Sequence, residues 1–189
     1  MAQPQTSTQI YELGFADQAG ASAVSWPAVL AGATVAIATT IILATLATGF
    51  GLATISPWKV QAAPIAFTIG GGIWLVVMQW LSSALGGYIS GRLRTRWSGV
   101  HVHEVFFRDT AHGLLTWAAA TIVVSALALH GAAAAVDTSP RAALDAAEIA
   151  AAQKSSAAFA IFTAISMLVG AFIACVSAAL GGRLRDEHP

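Results

Sequence analysis

The chain has 189 residues, of which 57% are hydrophobic and 10% are charged. Soluble domains carry roughly 25% charged residues, so the composition excludes an ordinary water-exposed fold. Nine basic and nine acidic residues give a net charge of zero, which excludes bulk electrostatic attraction to nucleic acid. We therefore expect an integral membrane protein whose main partner is the lipid bilayer.

Four long stretches with almost no charge follow a polar tail of 24 residues, which we expect to be disordered. Each stretch is long enough to cross about 30 Å of hydrocarbon at about 1.5 Å per residue. The predicted transmembrane helices cover residues 27–50, 64–90, 110–135 and 155–182. The sequence thus predicts an all-α membrane domain of four spans at residues 25–187.

The connections predict two antiparallel hairpins. Residues 56–59 form a short link, and Pro64 is a good first residue for the second helix. Between spans 3 and 4, Ser139 and Pro140 resemble a helix cap followed by a first-turn proline. They predict a short outer helix at about 140–152, which in an alternative arrangement is continuous with span 4.

Basic residues predict the orientation of the chain in the membrane. Three of the nine basic residues lie in the loops that join span 1 to span 2 and span 3 to span 4: Lys59, Arg141 and Lys154. The other six lie on one side of the predicted spans: Arg92, Arg94, Arg96, Arg108, Arg183 and Arg185. The positive-inside rule therefore places both termini and the 92–110 loop in the cytoplasm. We expect these six arginines to contact lipid headgroups.

The ends of spans 2 and 4 are similar in sequence. Residues 83–94 read SALGGYISGRLR, and residues 177–185 read SAALGGRLR. Duplication of one hairpin would give a parallel internal repeat with its axis along the membrane normal. The alternative is convergence, because spans that end on the cytoplasmic side often finish in small residues and arginines.

Small residues spaced four apart predict where the helices pack. In lipid, such rows let two backbones approach and gain van der Waals contact. The predicted packing residues are Ala28, Gly32 and Ala36 in span 1, Ser83, Gly87 and Gly91 in span 2, and Ala174, Ala178 and Gly182 in span 4. The pattern leaves open whether these contacts form within one chain or between subunits.

Span 2 also contains three consecutive glycines and an amide. Gly70, Gly71 and Gly72 predict a bend or a close crossing by span 1 or span 3, and a hinge is the alternative. Gln79, the most polar side chain inside any span, predicts a hydrogen bond between helices, with a pore-lining role as the alternative. Because no charged residue lies near the middle of a span, an ion-coupled pump is disfavoured.

Histidines and acidic groups cluster before span 3, where Asp109 is expected to cap the helix and Arg108 to contact solvent or headgroups. Four residues there are weak candidates for a metal site: His101, His103, Glu104 and His112. His130 lies 18 residues, or about 27 Å, beyond His112 on the helix, so the two histidines do not share one haem. We expect the histidines to contact solvent or headgroups, and we predict no metal, no cofactor and no catalytic residue.

Three segments resemble a known family. They are GVHVHEVFFRDTAHGLLTWA at 99–118, IWLVVMQWLSSALGGYISGRLRTRW at 73–97 and AISMLVGAFIACVSAALGGRLRDE at 164–187. They resemble uncharacterised alphaproteobacterial four-span inner-membrane proteins that are sometimes labelled "PhnA-like", and the resemblance covers about residues 24–187. It implies a multi-pass location in a bacterial inner membrane, but the label supports no reaction, and no catalytic residue carries over.

Two main functional hypotheses follow from the sequence. The first is a non-enzymatic protein that acts by helix association, as a homo-oligomer or as an accessory subunit of an envelope complex. The alternative is a small channel or facilitator whose conduit is lined by Gln79 and by Ser and Thr side chains. A haem- or metal-binding membrane protein is a third hypothesis, which an absorption spectrum would test.

Overall fold

The computed structural model describes residues 23–54, 64–96, 101–138 and 146–187. These residues form four α-helices and contain no strand, which confirms the predicted all-α class. The helices are α1 (Trp26–Thr54), α2 (Pro64–Leu93), α3 (Val102–Thr138) and α4 (Ala146–Glu187). The predicted disordered tail, up to residue 22, and the 56–59 link lie outside the described residues.

Each helix contains a segment that is long and apolar enough to cross a membrane. These segments are Trp26–Phe50, Gly70–Leu93, Val102–His130 and Ser156–Glu187. Large apolar side chains such as Ile42, Leu168 and Phe172 point away from the bundle and are about two-thirds exposed or more. The apolar core consists mainly of alanines, as expected where lipid rather than water surrounds the helices.

The two helices of the second hairpin are longer than the predicted spans. α3 begins at Val102, eight residues before the predicted start at 110. α4 is one continuous helix of 42 residues, or about 63 Å at about 1.5 Å per residue. Residues 146–152 of the predicted outer helix are therefore its first two turns, and residues 140–145 lie outside the described residues.

The helices alternate in direction. The start of α1 meets α3 where Ser25 hydrogen-bonds to His112, and the ends of α2 and α4 meet where Arg94 pairs with Asp186. Helix α2 contacts all three other helices and packs most extensively against α4, whereas α1 and α4 make no contact within the described residues. The fold is therefore two antiparallel hairpins joined mainly through α2 and α4.

The closest helix contact joins α2 to α4 through small residues. A Cβ atom added to Gly87 would collide with the carbonyl oxygen of Ala174. One added to Gly91 would collide with the carbonyl oxygen of Ala178 and lie 2.9 Å from the Gly182 nitrogen. Because these neighbours are backbone atoms, no side-chain rotation could make room. The α2–α4 seam, defined as these five residues, therefore lies within one chain.

The other predicted small residues also pack internally. A Cβ on Gly32 of α1 would collide with the carbonyl oxygen of Gly86, and one on Gly86 would lie 2.8 Å from the Ala36 Cβ. Gly113 of α3 likewise faces the Ala174 backbone. The structure thus places the predicted packing rows at contacts between helices of the same chain.

The three consecutive glycines of α2 lie in different surroundings. Gly72 faces the ring of Phe162 in α4, at 3.5 Å from the position of a Cβ, so the crossing helix is α4 rather than α1 or α3. Gly70 and Gly71 have no neighbouring atom within 4 Å of a Cβ position. Helix α2 continues without a break through all three.

Candidate functional site

A buried ion cluster closes one end of the bundle. It consists of Arg94 after α2, Asp109 in α3 and Asp186 in α4. The Arg94 Nη2 donates to Asp109 Oδ2 at 3.0 Å and to Asp186 Oδ2 at 2.9 Å, and its Nε pairs with Asp109 Oδ1. The Arg94 Nη1 donates to the carbonyl of Thr95 at 3.1 Å. One guanidinium therefore ties three helices together.

Two expectations from the sequence are wrong here. Arg94 does not reach lipid headgroups, because its side chain is fully buried. Asp109 does not cap α3, because the helix begins at Val102 and the carboxylate lies two turns inside it, facing Arg94. Burial by itself lowers the pKa of Arg94, but hydrogen bonds to the two carboxylates hold that pKa above its ordinary value. The guanidinium stays charged.

The other five predicted arginines lie at the surface of the same end. Arg96 donates to the backbone carbonyl of Asp186 at 3.1 Å, and Arg185 lies 3.3 Å from the Asp186 carboxylate. Arg108 pairs with Glu104, and Arg183 pairs with Glu187. Arg92 is partly buried. Exposed pairs of this kind contribute little to stability, so these residues remain available to contact headgroups.

His112 joins α3 to the start of α1. Its Nε2 accepts a hydrogen bond from the Ser25 backbone N–H at 2.8 Å, and its Nδ1 donates to the Arg108 carbonyl at 2.7 Å. This pair of partners requires the neutral tautomer with the proton on Nδ1. The sequence predicted a histidine facing solvent or headgroups, whereas the ring is fully buried one turn beyond Asp109.

The candidate metal ligands do not converge. Among the described residues, no group of three or more His, Cys, Asp or Glu side chains could hold a metal ion. His101, His103 and Glu104 are exposed at the start of α3, and Glu104 pairs with Arg108 at 2.8 Å. His112 is buried with both ring nitrogens engaged. His130 is exposed near the opposite end of the bundle.

A small cavity lies between the helices, farther into the bundle than the ion cluster. Its volume is about 60 Å³, which is enough for several water molecules. Most lining residues carry a hydroxyl, an amide or an indole N–H, and none is charged. They are Ala36 and Thr40 of α1, Gln79, Ser82 and Ser83 of α2, Thr116, Trp117, Ala120, Thr121, Val124 and Ser125 of α3, and Met167 of α4.

The polar groups around the cavity are only partly satisfied by the protein. Ser82 Oγ donates to the Met78 carbonyl at 2.8 Å. Trp117 Nε1 is buried and has no acceptor among the described residues. The Gln79 side chain packs against Gly170 of α4, where an added Cβ would lie 2.7 Å from the Gln79 Cγ. The amide thus packs against α4 and also lines the cavity, and the predicted hydrogen bond between helices stays a prediction.

One face of α3 connects the cavity to the ion cluster. Asp109, His112 and Thr116 follow each other at helical spacing, and all three are buried. Thr116 lines the cavity and lies seven residues, or about 10 Å, from Asp109 along the helix. The α2–α4 seam occupies the same interval, so closely packed helix backbones lie between the cavity and the ion cluster.

The ion cluster was missed at the sequence level although a signal for it existed. Asp186 continues the row Ala174, Ala178 and Gly182 at the same spacing of four, so it had to face α2. Arg94 similarly follows Gly91 by three residues on the packing face of α2. A charged residue that continues a row of small packing residues is therefore a candidate for a buried ion pair.

Comparison with known proteins gave no matching family model, no matching curated protein and no matching solved structure. The resemblance named above therefore stays a prediction, and any function has to be argued from the site itself.

Proposed function

We propose that this protein is a non-enzymatic channel or facilitator that holds or passes small uncharged polar molecules across a bacterial inner membrane, with both termini in the cytoplasm. The observation that carries this proposal is the cavity lined by Gln79, serines and threonines in the part of the bundle that can span a membrane. An unsatisfied polar group in hydrocarbon costs several kcal/mol. Among the described lining residues, the indole Nε1 of Trp117 is buried without an acceptor, and a hydrogen-bonding occupant would supply one.

The lining also limits the class of occupant. No charged or titratable side chain contacts the cavity, and a bare ion at membrane depth needs such groups or a ring of carbonyls. A volume of about 60 Å³ suits molecules of a few heavy atoms. Water and small neutral solutes such as urea fit both conditions.

Solute flux into liposomes tests this function. We would reconstitute the purified protein and measure water and urea permeability by stopped-flow light scattering. The protein should raise permeability to at least one of them above that of protein-free liposomes, and Gln79→Leu should abolish most of the increase. Thr45→Val is the matched control, because Thr45 is exposed on α1 and its hydroxyl bonds only within its own helix.

Equal permeability of empty and protein-containing liposomes for both solutes would refute the proposal. So would full activity of Gln79→Leu in a correctly folded protein. A loss in Thr45→Val as large as that in Gln79→Leu would show that the cavity is not the route.

Association with another membrane subunit is a second candidate function. The small-residue rows that first suggested it are occupied within the chain, but Gly70 and Gly71 face open space. Glycine costs about 1 kcal/mol of helix propensity relative to alanine, and a backbone of another copy or of an accessory partner could use the bare surface. Native mass spectrometry in mild detergent would test this, with Gly71→Leu expected to reduce the assembly. A strictly monomeric protein without crosslinked neighbours would contradict it.

A further inference from the structure

We propose that the ion cluster of Arg94, Asp109 and Asp186 is a latch that keeps the cavity closed at its end of the bundle. Breaking the latch would let α3 and α4 move away from α2 and admit water to the cavity from that side alone. This role rests on the proposed function, because a cavity that passes molecules must open to each side of the membrane.

The position of the cluster supports a role in closure. Arg94 lies one residue beyond the end of α2 and is bonded to α3 and α4, so it joins three helices at this end. A route from the cavity to this end would open by movement of α3 and α4 away from α2. A bond network across the opening therefore has to break before the route can open.

The seam behind the cluster is tight, but its helices can move relative to each other without repacking of large side chains. Gly87 and Gly91 meet the backbone atoms of Ala174, Ala178 and Gly182. Small sliding or separation of such surfaces needs no side-chain rotation. Among the described residues, the ion pairs that join different helices at this end are those of Arg94 and the weaker Arg96–Asp186 contact at 3.9 Å.

Access of water to the cluster is one-sided. The Arg94 side chain is fully buried and that of Asp109 is 4% exposed, whereas that of Asp186 is 34% exposed. Asp186 therefore links the buried pair to the aqueous face of the bundle. Buried ion pairs often contribute little net stability compared with apolar packing, so stability alone is a poor reason for this cluster.

A cysteine in the cavity wall reports on closure. Cys175 is the chain's only cysteine, so Cys175→Ala combined with Ser83→Cys leaves one thiol in the cavity lining. We would measure its rate of reaction with a small water-soluble thiol reagent, applied to spheroplasts and to inside-out membrane vesicles. A separate Arg96→Cys variant, exposed at the cluster end, identifies which preparation presents that end to the reagent.

With the cluster intact, Ser83→Cys should react slowly from the cluster side. Adding Asp109→Asn, which leaves the Arg94 charge without its main partner, should raise that rate by about tenfold or more, equivalent to about 1.4 kcal/mol in the opening equilibrium. The rate from the opposite side should not change. Glu104→Gln is the matched control, since it removes a carboxylate from the exposed start of the same helix, and it should leave both rates unchanged.

Asp186→Asn is a second variant in case Asp109→Asn does not fold, because it keeps the buried Arg94–Asp109 pair. It should give a smaller rise in the labelling rate from the cluster side. An unchanged rate in the folded Asp variants, or an equal rise from both sides, would overturn the latch. Labelling does not depend on solute flux. One-sided opening without any flux would therefore refute the proposed function and leave the latch standing.

Discussion

Substitution of Gly91 by alanine tests the close contact between α2 and α4. The added Cβ would collide with the Ala178 carbonyl oxygen and lie 2.8 Å from its carbonyl carbon. Both atoms belong to the backbone of α4, so the helices themselves must move apart. Overpacking of this kind costs about 1–3 kcal/mol, which exceeds the gain of about 1 kcal/mol that alanine brings to a helix interior.

Gly70→Ala in the same helix is the matched comparison. Its Cβ would meet nothing within 4 Å, so only the gain in helix propensity remains. We therefore expect Gly91→Ala to be destabilised and Gly70→Ala to be unchanged or slightly stabilised, with about 2 kcal/mol between them. For a chain of this size, this corresponds to a gap of about 4–8 °C in Tm.

Thermal unfolding in mild detergent, followed by fluorescence-detected size exclusion, would measure the gap. The two proteins should be compared with the unmodified chain at equal concentration, so that any association contributes equally. If Gly91→Ala proved as stable as Gly70→Ala, the α2–α4 contact would be looser than described. The latch would then lose the tight seam on which it depends.

Two further predictions concern the same end of the bundle. His112→Ala should destabilise the protein by about 1–3 kcal/mol, because the buried Ser25 N–H loses its acceptor. His101→Ala, at the exposed start of α3, should change the free energy of unfolding by no more than about 0.5 kcal/mol. Chemical denaturation would compare the two variants, and equal effects would contradict the assigned role of His112. Reporter fusions at each terminus should place both in the cytoplasm, as the distribution of arginines predicts, and termini in opposite compartments would rule out four spans.

The sequence was sufficient for the class of fold because lipid imposes a simple rule. A span needs about 20 apolar residues with every backbone group bonded internally, and each of the four helices contains a stretch that meets this condition. The rows of small residues also indicated which helix faces pack. They could not indicate the partner, because a glycine face looks the same whether it meets its own chain or another.

The sequence was less informative about polar residues near the helix ends. Interfacial charges usually face water or headgroups, so the pattern predicts headgroup contact for Arg94 and a helix cap for Asp109. The structure buries both, because α3 starts at Val102 and carries Asp109 inward. Helix boundaries are uncertain by one or two residues at best. Because α3 starts eight residues earlier than predicted, a residue that looked like its cap is instead a buried ion-pair partner of an arginine.

The order of features along α2 links the cavity to its closure. Gln79, Ser82 and Ser83 line the cavity, Gly87 and Gly91 form the seam, and Arg94 ties the end of the helix to its neighbours. A molecule that leaves the cavity toward Arg94 must therefore separate helix backbones that already touch. The barrier at this end is set by the seam and the ion cluster rather than by the size of the cavity. Enlarging the cavity alone should not open it, whereas neutralising one carboxylate of the cluster should.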